Sequence, residues 1–223
     1  MRLCRLKCYL VLILFPIISE SGCTARNHID TDTQSDNYDS LRIVLESVYD
    51  SDQSIRKQMH DPVYKDSIRQ LKYISQMIAI DQENLHKVLP ILEKYGWIPQ
   101  SKIGEKASDA IFYVIQHSSI ELMEKYFWQL DSLALLGEAS RKNAAMMEDR
   151  LLMGKGLKQI YGSQATTNLR PDKSLVIWPV SQPDKVDSLR KSVGFELSVL
   201  ENADRIGAVF NPNEELPIKD LHK

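Results

Sequence analysis

The sequence predicts a mainly α-helical protein, an antiparallel helical bundle with a small appended β-hairpin near residues 163–180. From Leu41 onward, apolar residues recur at three- and four-residue spacing, the period of an amphipathic helix. The connections between these periodic segments are short, which favours antiparallel neighbours. After Tyr161-Gly162 the pattern changes to two β-leaning runs, 163–169 and 175–180. They are joined by Arg170-Pro171-Asp172-Lys173-Ser174, where Pro fixes φ and Asp can bond its own backbone.

Taken in chain order, the first element is not part of the fold. All three cysteines, Cys4, Cys8 and Cys23, lie in the first 23 of 223 residues, a distribution that suits processing rather than a disulfide framework. Arg2, Arg5 and Lys7 precede an apolar run of 11 residues from Cys8 to Ile18, too short for a helix that must span about 30 Å of hydrocarbon. A short polar stretch then ends at Ser21-Gly22-Cys23. That tripeptide resembles the lipobox of bacterial lipoproteins, although Glu20 stands where an aliphatic residue is usual. The resemblance implies a signal peptide over 1–22, a lipidated Cys23 and attachment to a membrane. It also implies the cell envelope, with Thr24 favouring the outer membrane over retention at the inner one. The alternative is an ordinary secretory signal, which would leave Cys23 a lone thiol in an oxidising compartment. Residues 23–40 are polar and rich in Asp, Ser and Thr, so they are expected to form a flexible tether.

A single mainly helical domain is expected over 41–203. Leu41, Val44, Leu45 and Val48 form a stripe that ends at a polar break, Asp50-Ser51-Asp52-Gln53. Ile68, Leu71, Ile74 and Ile78 form a second. Asp81 can cap a fresh start with Leu85, Val88, Leu89 and Leu92, kinked or broken by Pro90 and ended by Gly96 and Pro99. A helix from near Gly104 carries Ala107, Ala110, Ile111, Val114 and Ile115. The next carries Ile120, Met123, Phe127, Leu130 and Ala134, and a further one Ala144, Met147 and Leu151. Pro183-Asp184 starts a short helix with Val186, Leu189 and Val193. Residues 204–223 are weakly patterned and read as a poorly ordered tail.

Composition excludes some functions. Lys and Arg number 28 against 30 Asp and Glu, and basic patches interleaved with aromatics are absent, so nucleic acid is not an expected partner. No phosphate-binding glycine loop, nucleophile elbow, HExxH or paired CxxC occurs, so neither a cofactor nor a metal is expected. Glu83 and His86 have no metal-ligand spacing and read as a solvated helix face. Nothing in the sequence identifies a protein partner.

The polar residues that remain form an ordered set: Asp81, Asn84, Gln116-His117, Asp149-Arg150, then Gly156, Gln159, Tyr161, Gly162 and Gln164. In order and spacing they resemble a bacterial family of unknown function whose signature is QH, then DR, then GxxQxYG[ST]Q. The likeness covers about residues 41–200. Asp52-Gln53 and Arg56 are similar to an upstream element of that family, while Trp97-Ile98-Pro99 departs from its usual Trp-Pro adjacency. The resemblance implies a fold and a candidate site without a substrate.

On its own chemistry, His117 lies at the edge of the apolar stripe, where a partly desolvated imidazole can serve as general base. Arg150 suits a carboxylate or phosphate, and Asp149 suits orientation of His117. The candidate catalytic residues are therefore His117, Asp149 and Arg150, with Gln116, Gln159, Tyr161, Gln164, Asp81 and Asn84 as candidate ligand-binding groups. The competing reading for each is structural: a satisfied core histidine, an ion pair, and amides that quench loose backbone groups. Three functions follow: a pocket for a small polar or anionic ligand, a hydrolase-like site with His117 as base, or a scaffold in which the polar set only fixes helix packing.

Overall fold

The computed structural model describes residues 31–58 and 67–217. The export signal, Cys23 and the start of the tether lie outside the described residues. Within them the chain forms α1 (Thr31–Lys57), α2 (Ser67–Tyr95), α3 (Gln100–Ile103), α4 (Glu105–Gln116), α5 (Ile120–Leu135) and α6 (Arg141–Gly154). A two-stranded antiparallel pair follows, β1 (Ala165–Thr166) with β2 (Val176–Ile177), and then α7 (Val186–Ser192) and α8 (Val199–Ile206). The fold is mainly α with a small hairpin, as the sequence predicts, and the strand pairing Ala165 with Ile177 falls inside the expected turn-and-strand region.

α4 is the axis of the bundle and touches α1, α2, α3, α5 and α6. Its sequence explains that position. Ala107, Ala110, Ile111, Phe112, Val114 and Ile115 are all buried, so the helix is apolar around most of its circumference and has to be enclosed by others. Leu45 and Val48 of α1, Val88 and Leu92 of α2, Met123 and Leu130 of α5 and Met147 of α6 complete this core. Ser119 and Ser140 start α5 and α6 by accepting from Leu122 N and Asn143 N.

A second, smaller core lies beyond the bundle, formed by Ile177, Val180, Val186, Val199, Ala203 and Ala208. Gly162 marks the entry to it. Its φ is +64°, and a Cβ there would meet Val199 Cγ2 at 2.7 Å, so both conformation and space demand glycine.

Five local expectations change. α1 begins at Thr31, because Tyr38 packs on the core and Asn37 donates to Tyr95 Oη at 2.8 Å, which ties the first turns down. It also continues through the supposed break at 50–53 to Lys57, since Asp52 faces inward and its carboxylate is satisfied there. α2 is one helix through Pro90, which lies on the exposed face where the carbonyl left without its N–H partner can be hydrated. In the first half of α2 the inward residue is Tyr73, while Leu71, Ile74 and Ile78 are exposed. Beyond Ala203 the chain completes α8, and Val209 then bonds both Leu175 and Ile177. Arg170 and Glu214 pair at 2.6 Å, which holds the segment that was expected to be weakly ordered.

Candidate functional site

The polar residues singled out by the sequence separate into two groups. The first lies between α1, α2 and α4 and is organised by Asp52. On α1, Leu41, Leu45, Val48, Asp52 and Ile55 follow one another at helical spacing, so Asp52 occupies a core position and is 1% exposed. A carboxylate buried there needs partners. Its Oδ1 accepts from Arg56 Nη1 at 2.8 Å and from His117 Nδ1 at 3.1 Å, and its Oδ2 accepts from Gln53 Nε2 at 2.8 Å. Burial pushes the Asp52 carboxyl up, but the hydrogen bond and charge of His117, the charge of Arg56 and the Gln53 amide outweigh it and hold it below the ordinary carboxylate value.

The second nitrogen of the Arg56 fork, Nη2, donates to Asp81 Oδ1 at 2.8 Å, so one guanidinium clamps α1 to α2. An ionised carboxylate only accepts, so Nδ1 of His117 donates to it, and in the neutral ring Nε2 is the nitrogen that carries the lone pair. Nε2 bonds to no described residue. The imidazole stacks on Tyr113 at 6.0 Å between centroids, and burial pushes the Tyr113 phenol up to about 12. His117 also lines an open cleft of about 210 Å³ together with Ile78, Asp81, Gln82, Leu85, Val114 and Ser118.

Asn84 and Gln116 flank this centre in sequence and are buried. Asn84 Oδ1 accepts from Ser51 Oγ at 2.8 Å, while Asn84 Nδ2 and Gln116 Oε1 have no hydrogen-bond partner among the described residues. Arg150 of α6 is half-buried. It lies close enough for the Arg56 charge to be felt, and burial followed by that charge lowers its pKa. It makes one long bond, Nη1 to Gln164 Oε1 at 3.5 Å, and no ion pair among the described residues.

The second group is a latch between α6 and the C-terminal part. Asp149, 0% exposed, accepts from the backbone N–H groups of Ile160 at 2.7 Å, Tyr161 at 3.0 Å and Ser163 at 2.9 Å. Burial raises its pKa against the pull of those donors. The expectation that Asp149 orients His117 is therefore corrected: its oxygens are spent on the loop, and Asp52 is the carboxylate on the imidazole. Gln159 donates to the carbonyls of Gln164 at 3.0 Å and Trp178 at 2.6 Å and accepts from Gln164 N at 2.9 Å. Gln164 donates to Met146 O at 3.3 Å and Ser163 Oγ at 3.0 Å. Tyr161 contributes its backbone here, and its ring faces Phe195 rather than His117.

Asp52, Asp81 and His117 offer three ligand atoms within 4.8 Å of one another, the spacing of a metal centre. Arg56 bridges the two carboxylates, however, and already supplies positive charge there, so a cation would have to displace the guanidinium. Glu83 pairs with Lys87 at 2.7 Å on the exposed face of α2, and His86 is exposed as well. The residue understated by the sequence reading is Asp52, which appeared there within a family element and a polar break. The available signal was a carboxylate four residues after Val48 and three before Ile55 on an apolar stripe.

No helix among the described residues is long and apolar enough to cross a membrane. Residues 39–207 match the model of a family of unknown function, DUF6624. No curated protein and no solved structure matches the chain.

Proposed function

Since the chain belongs to that family, which brings no activity with it, we propose from the site alone that the chain binds a small polar ligand at the cleft beside His117 and uses Nε2 to take a proton from it. The observation that carries this reading is the buried Asp52 carboxylate bonded to His117 Nδ1. It sets the tautomer, steadies the imidazolium that forms when Nε2 accepts a proton, and leaves that nitrogen facing a cleft. The imidazole is only part-buried and lines the cleft, so a ligand can reach the ring. Arg150, a cation with no carboxylate partner among the described residues and within reach of the Arg56 charge, supports an anionic group on the ligand. Proton abstraction from water or a hydroxyl is the step this pair suits, which makes hydrolysis the reaction class.

p-Nitrophenyl acetate and p-nitrophenyl phosphate are the first probes. Turnover or saturable binding is expected in the wild type, with loss in His117→Ala and marked reduction in Asp52→Asn. Signals unchanged in His117→Ala would overturn the reading. Titration with Mn²⁺ separates the cation alternative: paramagnetic broadening centred on His117 that displaces Arg56 would make the cluster a metal centre instead.

We also propose export and lipidation at Cys23, with the domain held on the envelope membrane and, from Thr24, at the outer one. The basic, apolar and small-residue regions in order support this, as does the lone thiol at the end of the leader. Incorporation of labelled palmitate, lost in Cys23→Ser, is the expected result; equal labelling of the variant would refute it.

A further inference from the structure

The buried face of α7 contains a charge. Val186 and Arg190 lie one turn apart, and both point inward, Arg190 at 2% exposure. Its donors go to neutral groups: Nε to Leu197 O at 2.8 Å, and Nη1 to Tyr161 O at 2.8 Å and Gly162 O at 3.5 Å. The guanidinium carbon lies 4.4 Å from the centre of the Phe195 ring. Nη2 bonds to no described residue, and no carboxylate lies at ion-pair distance among them. Asp187 and Asp149 offset its charge in part from beyond ion-pair distance, and their hydrogen bonds go to backbone groups rather than to the guanidinium. Asp187 accepts from Val199 N at 2.7 Å, and Asp149 holds the loop amides. A buried cation with so little adjacent counter-charge is costly unless something else supplies it.

A cleft of about 370 Å³ opens over this arginine, between α4 and α6 on one side and the C-terminal segments on the other. Lys142 and Arg205 stand on its rim, both exposed and neither ion-paired among the described residues. Arg205 is aimed by a 2.9 Å bond from Nη2 to Asn202 Oδ1. Against these three cations, Glu196 is the acidic residue in the lining. Phe195, Met146 and Leu197 give the same cleft an apolar wall. The volume lies at the small end of ligand pockets, and the lining is more polar than apolar, which suits a charged ligand over a purely apolar one.

We propose that this cleft is a binding site for a small organic anion, a phosphate or carboxylate on an apolar body of about one ring, with Arg190 beneath the anionic group and Lys142 and Arg205 above it. It is distinct from the cleft beside His117, with which it shares no lining residue, although Tyr113 of its lining also stacks on the imidazole. The ligand completes a buried charge that the chain leaves with neutral partners, and bidentate guanidinium geometry suits either anion.

The test is titration of the full chain with phenyl phosphate and with benzoate, followed through the side-chain amides of Asn143 and Asn202 by nuclear magnetic resonance. Saturable shifts at both amides are expected for at least one probe. Its dissociation constant should rise about tenfold or more in the double variant Lys142→Gln, Arg205→Gln, a change that leaves the buried arginine and the fold in place. His117→Ala should leave the affinity unchanged. Benzyl alcohol, the same ring without the anion, should not bind. Phenyl phosphate alone binding indicates a phosphate ligand, and benzoate binding as well indicates either anion. The proposal is overturned by unchanged affinity in the double variant, by equal binding of benzyl alcohol, by shifts confined to the His117 centre, or by no saturable binding at millimolar probe.

Discussion

Two buried aspartates, Asp52 and Asp149, are 1% and 0% exposed and do opposite work. Asp149 spends its oxygens on backbone N–H groups of one loop, so its effect is to fix the path of the chain from α6 into the second core. Asp52 spends its oxygens on side chains, and one of them, His117, lines a cleft and has its other nitrogen unbonded among the described residues. Burial and ionisability alone do not separate a structural carboxylate from a functional one. What separates them is the identity of the partners and whether any partner still has an unused atom that solvent or a ligand can reach.

The comparison breaks first at Asp149. Asp149→Ala would strand three part-buried backbone donors, each costing about 1–3 kcal/mol when left without an acceptor. A loss of about 4 kcal/mol, measured by urea unfolding, is expected, with the His117 imidazole resonances little changed in whatever fraction stays folded. A variant as stable as the wild type would show that the loop finds its path without the carboxylate. Gly162→Ala tests the same latch by a different route. The positive φ and the 2.7 Å approach to Val199 together imply a cost of about 2–3 kcal/mol. The second core should loosen before the bundle does, which hydrogen exchange at Val199–Ile206 would detect as earlier exchange than in α4.

The unequal legibility of these two sites in the sequence has a physical cause. The bundle core was readable because α4, α5 and α6 bury their apolar stripes, and Ala110, Ile111, Met123, Leu130 and Met147 lie where periodicity placed them. The hairpin was readable from its turn chemistry around Pro171-Asp172. Periodicity was a poorer guide on α2, where Leu71, Ile74 and Ile78 form a stripe that the fold leaves exposed, because a stripe does not say whether a neighbour comes to cover it. The polar set was visible as a set, but its division was not. Asp149 is adjacent to Arg150 in sequence, yet on a helix neighbours point about 100° apart, so Asp149 bonds the loop amides while Arg150 touches the latch only through Gln164 and feels the Arg56 charge. Asp52 was obscured because a run of polar residues resembles a helix end until one asks which of them falls on the apolar stripe. Arg190 has the same explanation: it lies one turn after Val186, a core position held by a charge.

Asp52→Asn sharpens the contrast with a titration. The folded pKa of Asp52 lies below the ordinary 3.8, so its ionised form is favoured by the fold. That contribution is fully present above the unfolded value and is lost as the pH falls through the lower folded one. At pH 7 the asparagine variant should be less stable by about 1–2 kcal/mol, the scale of one hydrogen bond to a charged group. The gap to wild type should hold down to about pH 4 and close below it. A gap that instead widened on acidification would mean that the carboxylate is held protonated in the fold, which would leave His117 without an oriented Nδ1 proton.

The smallest expected change in stability is the most discriminating for function. Arg150 is half-buried, is repelled by Arg56, has no ion pair among the described residues and holds Gln164 only through a 3.5 Å contact. Replacing it by glutamine keeps a donor for Gln164 and removes a desolvated charge, so stability should move by no more than about 0.5 kcal/mol. A residue retained for packing would have nothing further to lose. One retained to hold an anionic group beside His117 should lose about tenfold in affinity for p-nitrophenyl phosphate, read at the imidazole resonances, while the neutral acetate ester is handled as before. Equal loss for both probes would place Arg150 in the support of His117, and a large fall in unfolding free energy would assign it to the Asp149 latch, leaving Asp52, Arg56 and Asp81 as the whole of the charged site.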